Sequence, residues 1–352
     1  MLSMKKYTFY LLLGIFFFVG LSATSKTRSK RVKILLAGDV MFDWGFRQSN
    51  KKFSKDTIDP KLLKVFRSVD YRMVNLESPI TESQQDLDSH KSYVFRGYPN
   101  DLEILRRLQV NLVFLGNNHS MDYGKAGLLD TFSHLKKYRI GYAGAGKNRK
   151  EAYSPVRLSE KLSNYHIVSA SRIGLSRLFA GYRRPGSALY SLPRLGSIAR
   201  RRGKKHIYLL SLHWGIEYSP EPSGWQIRHA HSLIRSGYKA VIGHHPHIPQ
   251  GVEKYRNGVI LYSLGNFFFG SRNQYLNHNI IAVLHFLQGE LEKCEIIPVF
   301  GKFQYVKHHK LQLLPQQEAE RFLWELAVAS EKLNTKLDIK NGRAYIYFRK
   351  LE

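Results

Sequence analysis

Five apolar runs in this chain end in the same way, on a cluster of carboxylate, carboxamide or imidazole side chains. That recurrence limits the fold more than any other feature. "VKILLAGD" closes on Gly38-Asp39, "YRMVNLESP" on Asn75-Leu76-Glu77, and "NLVFLGNNH" on Asn117-Asn118-His119. "KKHIYLLSLHWG" closes on His213, and "KAVIGHHPH" on His244, His245 and His247. Short apolar runs bounded by turn residues read as buried strands. Amphipathic stretches separate several of them, so the pattern is α/β, with strands and helices taking turns. In open α/β sheets the loops at the carboxyl edge of the strands converge on the ligand site. The fold therefore places these distant residues at one rim.

The intervening segments fill in the organisation. "NDLEILRRLQV" has apolar residues at helical spacing behind a capping Asn100. "MDYGKAGLLDTFSHLKKYRI" sets Leu128, Leu129, Phe132, Leu135 and Tyr138 on one helical face. Residues 150–205 are less regular, rich in Arg, Gly and Ser. "GWQIRHAHSLIRSG" reads as a helix with Ile227, Ala230, Leu233 and Ile234 on its apolar side, and "GVILYSLGNFFFG" as a further strand. The remainder holds strand-like "IIAVLHFL" and "CEIIPVF", a helix in "PQQEAERFLWELAVASEKLN" and a terminal strand in "RAYIYFRK". The expected divisions are a leader with a basic linker (1–31), a main domain (32–285), and C-terminal strands and a helix packed on that same domain (286–352).

The chain has 352 residues, with 55 Lys and Arg against 27 Asp and Glu, a formal net charge of +28. Such a surface attracts polyanions. The basic residues are scattered, and no zinc-finger, homeodomain or RNP-type motif accompanies them, so nucleic acid is not the expected partner. With one cysteine, Cys294, a disulfide framework and a cysteine zinc site are excluded. Any metal must be held by His, Asp, Glu or Asn.

The amino terminus carries Lys5 and Lys6, then an uncharged run from Tyr7 to Ser25, long enough to cross a bilayer. "VGLSATS" offers small residues but no sharp cleavage site. A signal-anchor helix is expected ahead of the alternative, a cleaved signal peptide, with the body membrane-anchored outside the cytoplasm or exported. One signal opposes that topology: Lys26, Arg28, Lys30, Arg31 and Lys33 outnumber the upstream lysines, and positive charge favours the cytoplasmic side.

Carboxylates, carboxamides and neutral imidazoles suit divalent Mn, Fe, Zn or Co. His245-Pro246-His247 places two imidazoles on a stiffened loop, and a carboxylate such as Glu77 can bridge two ions that clamp a phosphate-like group. Taken alone, Asp39 reads as a turn residue and His213 as a packed core histidine; the joint pattern carries the metal reading. His134, His229, His231 and His278 have no such cluster and read as surface or core residues. The aromatic stretch "YSLGNFFFGSRNQY" reads as core behind the site, with Asn266 supporting a ligand histidine.

The ordered motifs "AGDVM", "VNLESPIT", "NNHSMDYGKAGLLDT", "GAGKNRKEAYSP", "LHWGIEYSPEPS", "GHHPH" and "YSLGNFFF" resemble those of the CapA family. These are capsule or poly-gamma-glutamate synthesis proteins within the calcineurin-like metallophosphoesterase superfamily, and the resemblance runs from about residue 32 to about residue 285. It implies a four-layered α/β/β/α metallophosphatase-like sandwich holding one or two divalent ions. It also implies metal ligands at Asp39, Glu77, Asn118, His213, His245 and His247, with His119 as the acid or phosphate-contacting imidazole. His244, Asp43, Asn117 and Asn266 are additional candidates. The wider superfamily has Asp-x-His where this chain has Met41, which removes a nitrogen ligand; Asp43 could compensate. Two functions are compatible with this pattern. One is a membrane-anchored protein of the bacterial cell envelope with a hydrolase-type site, acting on an anionic polymer or phosphate-containing substrate beside other capsule synthesis membrane proteins. The other is a non-catalytic polyanion-binding accessory protein with a residual metal site.

Overall fold

The computed structural model describes residues 31–46, 58–84, 91–200, 205–270, 277–303 and 311–349. The apolar run Tyr7–Ser25, expected to form an N-terminal helix, lies outside the described residues. Among the described residues no helix is long and apolar enough to cross a membrane.

Two sheets organise the chain. The larger is built on β1 (Arg31–Met41), whose 11 residues are almost wholly buried. On one side β1 pairs in parallel with β2 (Tyr71–Leu76), which continues to β3 (Leu112–Phe114) and β4 (Gly141–Ala143). The second sheet has β5 (Tyr165–Ser171), β6 (Ile207–His213) and β7 (Tyr238–His244) in parallel. Its far edge is the hairpin of β8 (Val252–Tyr255) and β9 (Gly258–Leu261), with β9 parallel to β7. The chain then returns to the first sheet. There β10 (Asn266–Gly270) lies parallel to the carboxyl end of β1, and β11 (His278–Leu287) lies antiparallel to its beginning. Next come β12 (Glu290–Phe300), β14 (Arg343–Tyr347) and the edge strand β13 (Asp338–Lys340).

The cores show the layering. One cluster joins inward residues of both sheets, such as Ile34, Leu36 and Met73 with Ile167, Leu209 and Ile242. A second packs the outer face of the large sheet on α1 (Pro60–Arg67), α2 (Leu102–Arg107) and α3 (Gly124–Lys137) through Leu62, Leu105 and Leu128. A third packs the small sheet on α4 (Leu192–Arg200) and α5 (Gly224–Arg235) through Leu195, Ala230 and Leu233. Four layers result, helix on sheet on sheet on helix. The last helix, α6 (Gln316–Glu331), contributes Phe322 and Leu323 to the core between the sheets.

Helix limits follow local chemistry. Asp59 accepts the Lys61 N–H ahead of α1, with Pro60 at the first helical position, and Ser223 with Gln226 closes a reciprocal capping box on α5. Three readings are corrected. Asn100 does not cap α2; the carboxylate of Asp101 accepts the Tyr98 N–H instead, within a short 3-10 turn. The irregular reading of 150–205 hides β5, a fully buried parallel strand beside β6. The single strand read from "GVILYSLGNFFFG" is two strands in different sheets, broken around Gly265 at φ +71°.

Candidate metal centre

The carboxyl ends of both sheets meet at one rim. Register places Asp39 of β1 between Asn75 of β2 and Asn266 of β10, and His213 of β6 beside His244 of β7. Two glycines permit the close approach. A Cβ on Gly38 would lie 1.9 Å from the Gly265 carbonyl oxygen, and one on Gly243 would lie 1.8 Å from that of Tyr262. Beyond β7 the histidine loop turns through left-handed backbone at His245 (φ +97°) and His247 (φ +61°). Such conformations cost about 1–3 kcal/mol each for non-glycine residues and persist where the surroundings enforce them, characteristically at functional sites.

Asp39 is fully buried and touches both sheets. Its Oδ1 accepts from Asn75 Nδ2 at 2.9 Å and lies 3.1 Å from His244 Nδ1. Its Oδ2 lies 3.3 Å from His247 Nδ1 and accepts the His245 N–H at 3.3 Å. Glu77 is equally buried, with Oε1 3.3 Å from His213 Nε2 and Oε2 4.0 Å from His247 Nδ1. Single donor atoms of Glu77, His213 and His245 fall within 4.8 Å of one another, as do those of Asp39, Glu77 and His247. Glu77 belongs to both groups.

The electrostatics match that crowding. Burial alone would raise the Asp39 carboxyl, but hydrogen bonds and charge from His244 and His247 outweigh it and hold it well below the usual range. Burial, then the nearby Asp39 charge, push Glu77 well above its ordinary value. Burial, then His245, keep His213 neutral far below its usual value. Burial and His247 carry His245 down to about 3. For His247 burial pulls downward, yet Glu77 and Asp39 lift it to about 9.

Do these residues fit a cation? Both carboxylate oxygens of Glu77, His213 Nε2, His245 Nδ1 and Asn118 Oδ1 are buried without a hydrogen-bond partner. Buried polar atoms are ordinarily satisfied, and each exception calls for a cause. Those on Glu77, His213 and His245 converge, and carboxylate with imidazole is a donor set that first-row divalent ions take. The fit is good.

The remaining expected residues divide. His119 is oriented: its Nδ1 lies 2.7 Å from Asp122 Oδ2, and burial lowers its pKa against the opposing pull of Asp122. Asn117 is structural, its Nδ2 donating to Asn75 Oδ1 at 3.1 Å and its Oδ1 accepting the His119 and Ser120 N–H groups. Asn266 Oδ1 lies 3.0 Å from His247 Nδ1. Asp43 faces elsewhere, accepting the Trp44 and Arg96 N–H groups, and it joins none of the candidate ligand groups. Phe267 and Phe268 pack in the core behind the site, while the Phe269 ring sits 4.8 Å from that of His247. Of the histidines read as lacking partners, His231 lies 2.7 Å from Glu253 and His278 2.8 Å from Glu318.

Four residues escaped the sequence reading. Asn75 bridges Asp39 and, at 3.4 Å, His213 Nδ1; its place two residues before Glu77 on a strand, facing the same way, was an available signal. Asp122 stands three residues after His119, a spacing that could have been tested for pairing. Glu217 groups with His245 and His247, within the "HWGIEYS" stretch. Lys91 touches His119 Nδ1 at 3.2 Å and pairs with Asp122; nothing in its sequence surroundings announces it.

Comparison with known proteins adds a family assignment. The profile described as bacterial capsule synthesis protein PGA_cap matches residues 33–271. The PGA biosynthesis protein CapA of Bacillus subtilis is 26% identical over 296 residues, covering 82% of this chain and 78% of its own. The capsule biosynthesis protein CapA of Bacillus anthracis is 24% identical over 335 residues, covering 89% and 79%. Among solved structures, the NAD nucleotidase of Haemophilus influenzae aligns with a TM-score of 0.45 at 11% identity, over 85% of this chain and 56% of that one.

Proposed function

We infer the function from one premise: the chain belongs to the bacterial capsule synthesis protein PGA_cap family. We propose that it takes part in making or exporting an anionic surface polymer of the poly-gamma-glutamate kind, through a metal-dependent hydrolase-type site. Its four layers are read as the metallophosphatase-like sandwich. The apolar run Tyr7–Ser25 is read as the membrane anchor, with the body in the cell envelope beside other membrane proteins of polymer synthesis. What carries the reading is the convergence of Asp39, Glu77, His213, His245 and His247 from two sheets, with Glu77 and His213 presenting buried, unpartnered donor atoms.

In this reading Asp39, Glu77, Asn118, His213, His245 and His247 would hold one or two divalent ions, Glu77 belonging to two of the candidate donor groups. A bound divalent ion polarises phosphoryl or acyl oxygens and acidifies water. Asn75 fixes Asp39 and His213, and Asn266 holds His247 at Nδ1, the nitrogen that also faces Asp39 and Glu77. Asp122 engages Nδ1 of His119, so Nε2 is the atom left to hold or release a proton toward a leaving group. Lys91 adds positive charge beside that proton carrier.

A second reading has its own support. Met41 supplies no nitrogen where the wider superfamily has a histidine, and the net charge of +28 suits polyanion capture without chemistry. Metal analysis with turnover of a generic phosphodiester, for wild type and His245→Ala, separates the two. Turnover that needs bound metal and His245 supports the hydrolase. Bound metal without turnover supports the accessory role, and no metal in protein purified without chelator removes both metal readings.

A further inference from the structure

At the opposite end of β1 from the metal centre, the large sheet carries a row of basic and aromatic side chains. Register sets Lys33 of β1 beside His285 of β11, His285 beside Lys293 of β12, and Lys293 beside Tyr347 of β14. Their neighbours Val32, Phe286, Cys294 and Ile346 point into the core between the sheets, so alternation turns this row to the outer face. Together with Arg31 and Arg349 the row lines a cavity of about 1030 Å³.

Charge and reach together say what this face meets. Arg31, Lys33, Lys293 and Arg349 stand against Glu292 in the lining and Asp70, which accepts the Lys33 N–H at 2.8 Å. His285 is answered by Glu295, 3.0 Å away, and that carboxylate also pairs with Arg343. Among the described residues none of the four cations is in an ion pair. Lys293 lies over the Tyr345 ring at 5.2 Å, and the Tyr345 and Tyr347 rings stack at 6.1 Å. Four cations against two carboxylates leave the face net positive. Across the β11–β12 turn, Arg200 and Lys205 line a second cavity at the amino ends of the small sheet, where Glu290 is taken by Lys239. Cations interleaved with tyrosines suit a membrane–water interface, which accommodates both the apolar body of the ring and its polar tip. The chain itself supplies the bilayer's position. The apolar run ends at Ser25 and β1 begins at Arg31, six residues on, a span of at most about 22 Å.

We propose that this face docks on the phosphate headgroups of an anionic bilayer, the same membrane that holds the Tyr7–Ser25 run. The inference rests on the anchor reading above and adds which surface of the body meets the lipid and which way the centre faces. Asp39 lies eight residues beyond Arg31 along β1, about 26 Å at the rise of a strand, so the docked body turns its metal centre away from the bilayer.

The test reconstitutes the full chain in phosphatidylcholine vesicles with or without phosphatidylglycerol. A membrane-impermeant lysine-acetylating reagent is pulsed in, and initial rates are read residue by residue by mass spectrometry. At the attraction typical of a Lys or Arg near an anionic surface, two net charges favour the docked state about thirtyfold. Phosphatidylglycerol should therefore slow acetylation of Lys33 and Lys293 at least about tenfold. Lys125 and Lys136, exposed on α3, should keep their rates. Arg31→Glu with Arg349→Glu, both at exposed positions, should abolish the slowing, and raised salt should weaken it. Equal rates in the two kinds of vesicle, slowing shared by Lys125 and Lys136, or slowing that survives the double reversal overturns the docking face. So does soluble polyglutamate that slows Lys33 and Lys293 equally in phosphatidylcholine vesicles, because the row is then a polymer site. An alkaline carbonate wash reports the anchor separately. A chain that resists extraction without lipid-dependent slowing keeps its anchor and loses the docking face. One that is extracted yet was slowed keeps the face and loses the anchor.

Discussion

Replacing Glu77 by Gln should have opposite effects on stability with and without a divalent ion. Glu77 is fully buried, neither carboxylate oxygen has a hydrogen-bond partner, and the nearest opposing charge is His247 at 4.0 Å. In metal-free protein the folded state therefore resists ionising this group. A carboxyl whose folded pKa is raised leaves stability intact below its unfolded value and loses it as pH climbs. Between the ordinary value of 4.5 and pH 7 the loss is at most about 3.4 kcal/mol, at 1.36 kcal/mol per unit. The variant keeps the shape, gives up the charge and forfeits its attraction for His247, so a net gain of about 1–3 kcal/mol is expected at pH 7. At roughly 2–4 °C per kcal/mol, that raises the metal-free Tm by several degrees. With metal at a thousand times Kd, wild type gains about 4.1 kcal/mol, a gain that the ligand-deficient variant loses. Thermal melts of both proteins, in chelator and in excess Mn²⁺ or Zn²⁺, should show the order of stabilities reverse. A variant less stable than wild type in chelator, or with an unchanged metal-induced rise, refutes the reasoning.

Other outcomes follow from the same geometry. Asn75→Ala releases Asp39 and His213 together and should lower metal affinity about 10–100-fold, measured by competition with a chromogenic chelator. Asn266→Ala should weaken metal retention through His247, and unchanged affinity would remove that role. Away from the centre, burial would raise Glu295, but hydrogen bonds from His285 and Arg343 outweigh it and hold it at about 2. Its stabilisation is complete above about pH 4.5 and fades as pH falls toward 2, so Glu295→Gln should flatten the acid side of the Tm–pH curve.

Much of the cluster was legible because its carboxylates and imidazoles follow apolar strands directly, and the strand pattern with the carboxyl-edge rule places them together before any contact is known. Asp39, Glu77, His213 and the histidine loop all came from that logic. What stayed hidden depends on register and on loops. Asn75 matters because it stands opposite Asp39 across β1 and β2, and Lys91, in neither strand nor helix, because its ammonium group reaches His119 and Asp122. The strand Tyr165–Ser171 was masked by polar side chains, His166, Ser169 and Ser171, that are nonetheless buried between its neighbours. The split of 258–270 between two sheets turns on a left-handed glycine, and hydrophobic continuity carries no trace of that change of sheet.

The most direct test of the centre is an anomalous-difference map from crystals grown with Mn²⁺ or Zn²⁺, recorded at the metal's absorption edge. The account predicts a peak within coordination distance of Glu77, His213 and His245, with any second peak beside Asp39 and His247. A map with no peak there, or with its peak among other residues, contradicts it.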